Sequence, residues 1–139
     1  ALDSRCARAG GGRVPGTAPQ HGAVRAGRAP EKKMSLKIYD DTIDLCRAVA
    51  PIARSIERRD GDLARQLRRA ASSVALNTAE GAYTTKGNER LGLSTALGSA
   101  AEVRACLDVA EAFEVITPVD GELRAKLSKI IATLWRLTR

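Results

Sequence analysis

Apolar residues recur at intervals of three and four in four separate stretches of the chain, and each run places its apolar positions on one side of an α-helix. From Asp40 to Arg59 the run is Leu45, Val49, Ile52, Ala53 and Ile56. From Leu63 to Ala79 it is Leu63, Leu67, Ala70, Ala71, Val74 and Thr78. From Glu89 to Glu114 it is Leu93, Ala96, Leu97, Ala100, Val103, Leu107 and Ala110, and from Pro118 to Leu137 it is Leu123, Leu127, Ile130, Ile131 and Leu134. No stretch alternates as a strand does. Four amphipathic helices with short connections predict an all-α, antiparallel up-and-down four-helix bundle.

Local chemistry sharpens the boundaries. Asp40, Asp41 and Asp44 open the first predicted helix and Arg54, Arg58 and Arg59 close it, the polarity a helix dipole favours. Pro51 falls inside it and predicts a kink over residues 47–51, because proline lacks the amide proton and crowds the carbonyl of Arg47. Asp60-Gly61-Asp62 reads as a tight turn capping the second helix. Gly81 is the expected left-handed stop of that helix, with Ala82 to Asn88 as a loop. Gly92 and Gly98 each cost a helix about 1 kcal/mol relative to alanine, which points to close helix contact as their reason. Val115 and Ile116 are placed to close the end of the bundle. Thr117 is the expected cap, and Pro118 the first residue, of the fourth helix.

The core must be aliphatic, since 44% of the 139 residues are hydrophobic and only 3% aromatic. The formal charge of +7 suggests an acidic partner, but its location matters more than its sum. Seven of the 23 Lys/Arg and two of the 16 Asp/Glu fall in residues 1–33, leaving 16 against 14 in residues 34–139. Global charge is therefore weak evidence for nucleic-acid binding by the bundle. Residues 1–33 are rich in Gly, Ala, Arg and Pro and bury too little apolar surface to fold, so they are expected to be a disordered basic tail. Met34 reads as a natural start, with residues 34–139 as the bundle domain and the tail as an upstream extension rather than a functional arm. Cys6, Cys46 and Cys106 form no close pair and suggest buried, reduced thiols in a cytoplasmic protein. No apolar run reaches the roughly 20 residues that span a bilayer, and no secretory signal opens the chain.

The candidate chemistry lies in residues 54–81. Arg65, Arg68 and Arg69 share a helix face through their i, i+3 and i+4 spacing, and Arg54, Arg58 and Arg59 lie near them. Guanidinium groups fork onto phosphates, so this cluster is a candidate for salt-sensitive, sequence-independent nucleic-acid binding. The other reading is a solvated face held by ion pairs. Asn77 and Glu80 are helical neighbours, suited to a structural hydrogen-bond role at a helix end or subunit interface, and Glu80 is placed to pair with an arginine of another helix. Asp108, Glu111 and Glu114 read as a solvated acidic face. The single histidine, His21, lies in the tail, which excludes the Glu-x-x-His pairs of a di-metal bundle and any Ser-His or Cys-His nucleophile. No catalytic site, metal, cofactor or small-molecule substrate is expected. Tyr39, Tyr83, Phe113 and Trp135 are too scattered to stack bases, and Trp135 is placed for packing at a subunit contact.

The stretch Leu67 to Gly81, LRRAASSVALNTAEG, resembles the signature of the four-helix bundle proteins known from intervening sequences of bacterial 23S ribosomal RNA genes. That family also includes the accessory variability determinant of diversity-generating retroelements. Arg68, Arg69, Ala70, Ala71, Ser73, Asn77, Ala79, Glu80 and Gly81 carry the resemblance. A second element, Ala96-Leu97-Gly98-Ser99-Ala100-Ala101-Glu102, resembles that family's A-L-G-S-x-x-E. The sequence departs from the pattern at Ala75, where proline is usual, and at Thr78, where an aliphatic residue is usual. The resemblance covers roughly residues 37–137.

The resemblance implies a homo-oligomer, a pentameric ring, and in the retroelement branch binding to nucleic acid and to a reverse transcriptase. It marks Asn77, Glu80, Gly81, Gly98 and Glu102 as assembly or structural positions. Two functions follow. One is a non-enzymatic basic adaptor that holds nucleic acid, or a nucleic-acid-processing partner, through Arg54, Arg58, Arg65, Arg68 and Arg69. The other is a structural protein-interaction module with no nucleic-acid binding.

Overall fold

The computed structural model describes residues 33–84 and 86–139, so the expectation for the tail lies outside the described residues. Four helices follow one another: α1 (Lys33–Glu57), α2 (Gly61–Tyr83), α3 (Lys86–Ala112) and α4 (Gly121–Thr138). Each packs on the next and α1 returns to α4, which makes the bundle up-and-down and antiparallel. Among the described residues there is no strand. The core is the apolar stripe read from the sequence: Leu45, Val49 and Ile56, then Leu67 and Val74, then Val103 and Leu107, then Leu127, Ile130 and Leu134, all buried. None of the buried core residues is aromatic.

The ends of the helices differ from expectation in four places, each with a physical cause. α1 begins seven residues before Asp40, because Ile38 and Thr42 extend the buried stripe. Thr42 is tolerated there because its hydroxyl donates to the carbonyl of Tyr39 at 2.6 Å. Asp40, Asp41 and Asp44 therefore lie beyond the first turn, where the dipole argument lapses. Asp44 pairs with Arg47 at 2.7 Å and Asp41 with Lys129 of α4 at 3.3 Å. The helix runs on through Pro51, which is exposed.

α2 does not stop at Gly81. It continues to Tyr83, and among the described residues no glycine has positive φ. Gly81 is instead buried at the crossing with α3, where an added Cβ would lie 3.0 Å from Leu93 Cγ and 3.1 Å from the Glu89 carbonyl. α3 starts at Lys86, so the long loop is absent. α4 starts at Gly121 with Asp120 as its cap, accepting from the amide of Glu122 at 3.2 Å; Thr117 and Pro118 precede the helix.

The left-handed residue is Glu114, with φ 54°. The amide of Val115 donates to the carbonyl of Ala110 at 2.8 Å and that of Glu114 to Glu111 at 2.9 Å, the paired bonds of a Schellman stop. Val115 and Ile116 then pack against the core, closing the end of the bundle as their sequence suggests.

Candidate functional site

The arginines flank the α1–α2 turn. The amides of Arg59 and Asp60 both donate to the carbonyl of Ile56, at 2.9 and 2.8 Å, and the Asp60 carboxylate accepts from the amide of Leu63 at 2.9 Å. The chain thus reverses within three residues, placing Glu57 opposite Arg68. Arg68 forks onto that carboxylate, Nη1 to Oε1 at 3.1 Å and Nη2 to Oε2 at 2.6 Å. The hydrogen bond and then the charge of Arg68 hold the Glu57 carboxyl below the usual range, and the same bond raises Arg68.

The cluster is therefore not one uniform face. Arg65 pairs with Asp62. Arg59 donates to the backbone carbonyl of Glu114 at 3.1 Å, and Arg58 reaches Ser55 Oγ at 3.4 Å. Arg54 and Arg69 are exposed and carry no ion pair among the described residues. Arg58, Arg59, Ser55 and Thr117 line an open cleft of about 560 Å³ at this end of the bundle. Arg69 lines another of about 300 Å³ between α2 and α3, with Gln66, Ser73 and Glu102.

Asp108 and Glu114 are exposed, as the acidic face expected of them requires, whereas Glu111 is half-buried. Arg124 of α4 donates to Asp108 at 2.6 Å and to Glu111 at 2.7 Å, and the amide of Val119 donates to Glu111 at 2.8 Å. Glu111 is thereby held below the usual carboxylate range, first by the Val119 amide and then by Arg124. Burial pushes the thiols of Cys46 and Cys106 up, and both are free. Among the described residues no group of His, Cys, Asp and Glu is arranged to hold a metal ion.

The signature residues meet where α2 crosses α3. Asn77 Nδ2 donates to the carbonyl of Ser73 at 2.9 Å and to its Oγ at 3.0 Å, and Ser73 Oγ lies 2.7 Å from Ser99 Oγ. Ser99 in turn donates to the carbonyl of Thr95 at 3.0 Å. This short polar seam satisfies its own groups between the small residues that let the two helices approach. A protein-family model for the 23S rRNA-intervening sequence protein matches residues 34–136. The chain belongs to that family. The match spans the seam and all but the ends of the bundle. In this member of the family, Gly81 serves the α2–α3 contact, whereas Gly98 is exposed with nothing within 4 Å of an added Cβ, so close contact within the chain is not its reason. Glu80 and Glu102 are exposed and unpaired among the described residues, and Glu80 does not pair with an arginine of another helix. Ala75, at the departure from the family pattern, is buried. No curated protein and no solved structure matches the chain. Among the described residues no helix is long and apolar enough to cross a membrane.

Proposed function

We propose that this family member is a non-enzymatic, cytoplasmic adaptor. It assembles as a homo-oligomer, the pentameric ring implied by the family resemblance, and holds nucleic acid or a nucleic-acid-processing partner such as a reverse transcriptase. The contact is the arginine corner: Arg54, Arg58, Arg65, Arg68 and Arg69. The observation that carries this reading is that Arg54 and Arg69 have no carboxylate partner among the described residues, while Arg65 and Arg68 are held only by surface pairs. Surface pairs are weak and screened by salt, so a phosphate exchanges readily for Asp62 or Glu57. Contacts of this kind follow the backbone of a nucleic acid and carry little sequence information.

The test replaces Arg65, Arg68 and Arg69 together by alanine and titrates duplex DNA and RNA at two salt concentrations. A loss of affinity that shrinks as salt rises supports the reading, and unchanged affinity removes it. The second reading, a structural interaction module, draws on the exposed apolar residues Leu91 and Trp135. If the natural chain itself binds neither duplex DNA nor RNA, that reading takes its place.

A further inference from the structure

Among the described residues, two of the apolar patches left uncovered carry charges that complement each other. On α2, Leu76, Glu80 and Tyr83 lie at i, i+4 and i+7 and form one outward strip, with Leu76 69% and Tyr83 86% exposed. Glu80 within it has no partner among the described residues. On the far side of α3 a groove of about 550 Å³ runs between α3 and α4, with Leu91, Leu97 and Trp135 as its apolar lining and Arg90 and Arg139 at its edges. Leu91 is 68% and Trp135 51% exposed, and the Arg139 guanidinium sits 4.5 Å above the Trp135 ring.

From these positions we infer that the acidic, apolar strip of α2 in one copy seats in the basic, apolar groove at α3 and α4 of a second copy. The inference rests on the oligomer of the proposed function and assigns its contacting faces. Large exposed aliphatic and aromatic side chains are poorly accommodated by water, and Leu76 with Tyr83 offers the lining that Leu91 and Trp135 lack. Glu80 enters between Arg90 and Arg139, where two copies of the groove set face to face would oppose cation to cation. The rest of the outward face of α3 does not obstruct the approach. Ser94, Gly98, Ala101 and Ala105 along it are exposed and small, and Glu102 is the exposed charge among them. Gly98, where an added Cβ would meet nothing within 4 Å, keeps that face low.

Because the strip and the groove are different surfaces of one chain, the contact is heterologous. Every copy offers one of each, and such contacts either close into a ring or continue as a filament.

The experiment uses two double variants, L76E/Y83E and L91E/W135E, each removing one face and leaving the other. Light scattering after gel filtration gives the mass, and circular dichroism confirms that each variant is folded. If a double variant is unfolded, the single variant L76E or L91E is used in its place. Each variant alone is expected to be a monomer at concentrations where the natural chain assembles. Mixed in equal amounts they are expected to form a one-to-one dimer that grows no further, because only one intact strip meets one intact groove. Assembly of either folded variant to the natural mass overturns the assignment while leaving the oligomer intact. A mixture that stays monomeric overturns the head-to-tail pairing. A natural chain that is itself monomeric overturns both this inference and the oligomer, and leaves nucleic-acid binding to be judged by its own titration.

Discussion

Gly92 of α3 rests directly on Gly81 of α2: a Cβ at Gly92 would lie 3.0 Å from the Gly81 amide nitrogen, 3.2 Å from its Cα and 3.0 Å from the carbonyl of Asn77. All three atoms are backbone and cannot turn aside. Gly92→Ala is therefore expected to destabilise the fold by about 1–3 kcal/mol, the range of overpacking. Gly98→Ala, measured in the L91E/W135E background so that assembly does not contribute, is expected to stabilise it by about 0.5–1 kcal/mol through helix propensity. Urea denaturation of both variants checks the opposite signs.

Glu114 occupies a conformation that glycine adopts without cost, yet its side chain has no ion pair among the described residues. The turn is fixed by backbone bonds and by Arg59, which holds the Glu114 carbonyl and not its carboxylate. Glu114→Gly is expected to raise stability by about 1 kcal/mol, seen as a higher denaturation midpoint with an unchanged slope.

The Glu111 carboxyl binds its proton less readily in the folded chain than in the unfolded one, whose value is near 4.5. Its contribution to stability is therefore complete above that value and is lost as pH falls through the lower, folded one. Denaturation followed from neutral pH into acid is expected to show stability falling below about pH 4.5. In Glu111→Gln the neutral-pH stability is lower and this acid-side loss is smaller. Equal acid losses in the two proteins contradict the role given to the Val119 amide and Arg124.

On the proposed nucleic-acid reading, Glu57 competes with phosphate for Arg68. Glu57→Gln removes the charge and frees the fork, so nucleic-acid affinity is expected to rise about two- to fivefold at low salt. Filter binding or fluorescence anisotropy reads the change, and a fall in affinity contradicts the competition.

Periodicity makes the four helices and most of the core legible, because a stripe such as Leu123, Leu127, Ile130 and Leu134 needs only local spacing. The start of α1 is hidden from periodicity because Thr42 stands in the stripe as a polar residue, and its hydroxyl bond to Tyr39 is local to the folded helix. Gly81 has the local look of a left-handed stop because its true reason, the backbone of another helix, leaves no local signal. Glu114 is hidden for the converse reason, since the left-handed position there carries no glycine. The arginine run is legible as a cluster, but its partition is not. Glu57 and Arg68 are eleven residues apart, and Arg124 lies sixteen and thirteen residues from Asp108 and Glu111, so turn geometry decides these pairs.

Whether the arginine corner binds phosphate backbones is decided by the salt dependence of binding. On duplex DNA, each phosphate that is no longer neutralised makes the slope of log affinity against log salt shallower by roughly 0.9. The natural chain is expected to bind with a steep negative slope, and the variant in which Arg65, Arg68 and Arg69 are alanine with a slope shallower by roughly 2–3. Identical slopes for the two proteins, or no binding by the natural chain at low salt, would contradict phosphate binding at this corner.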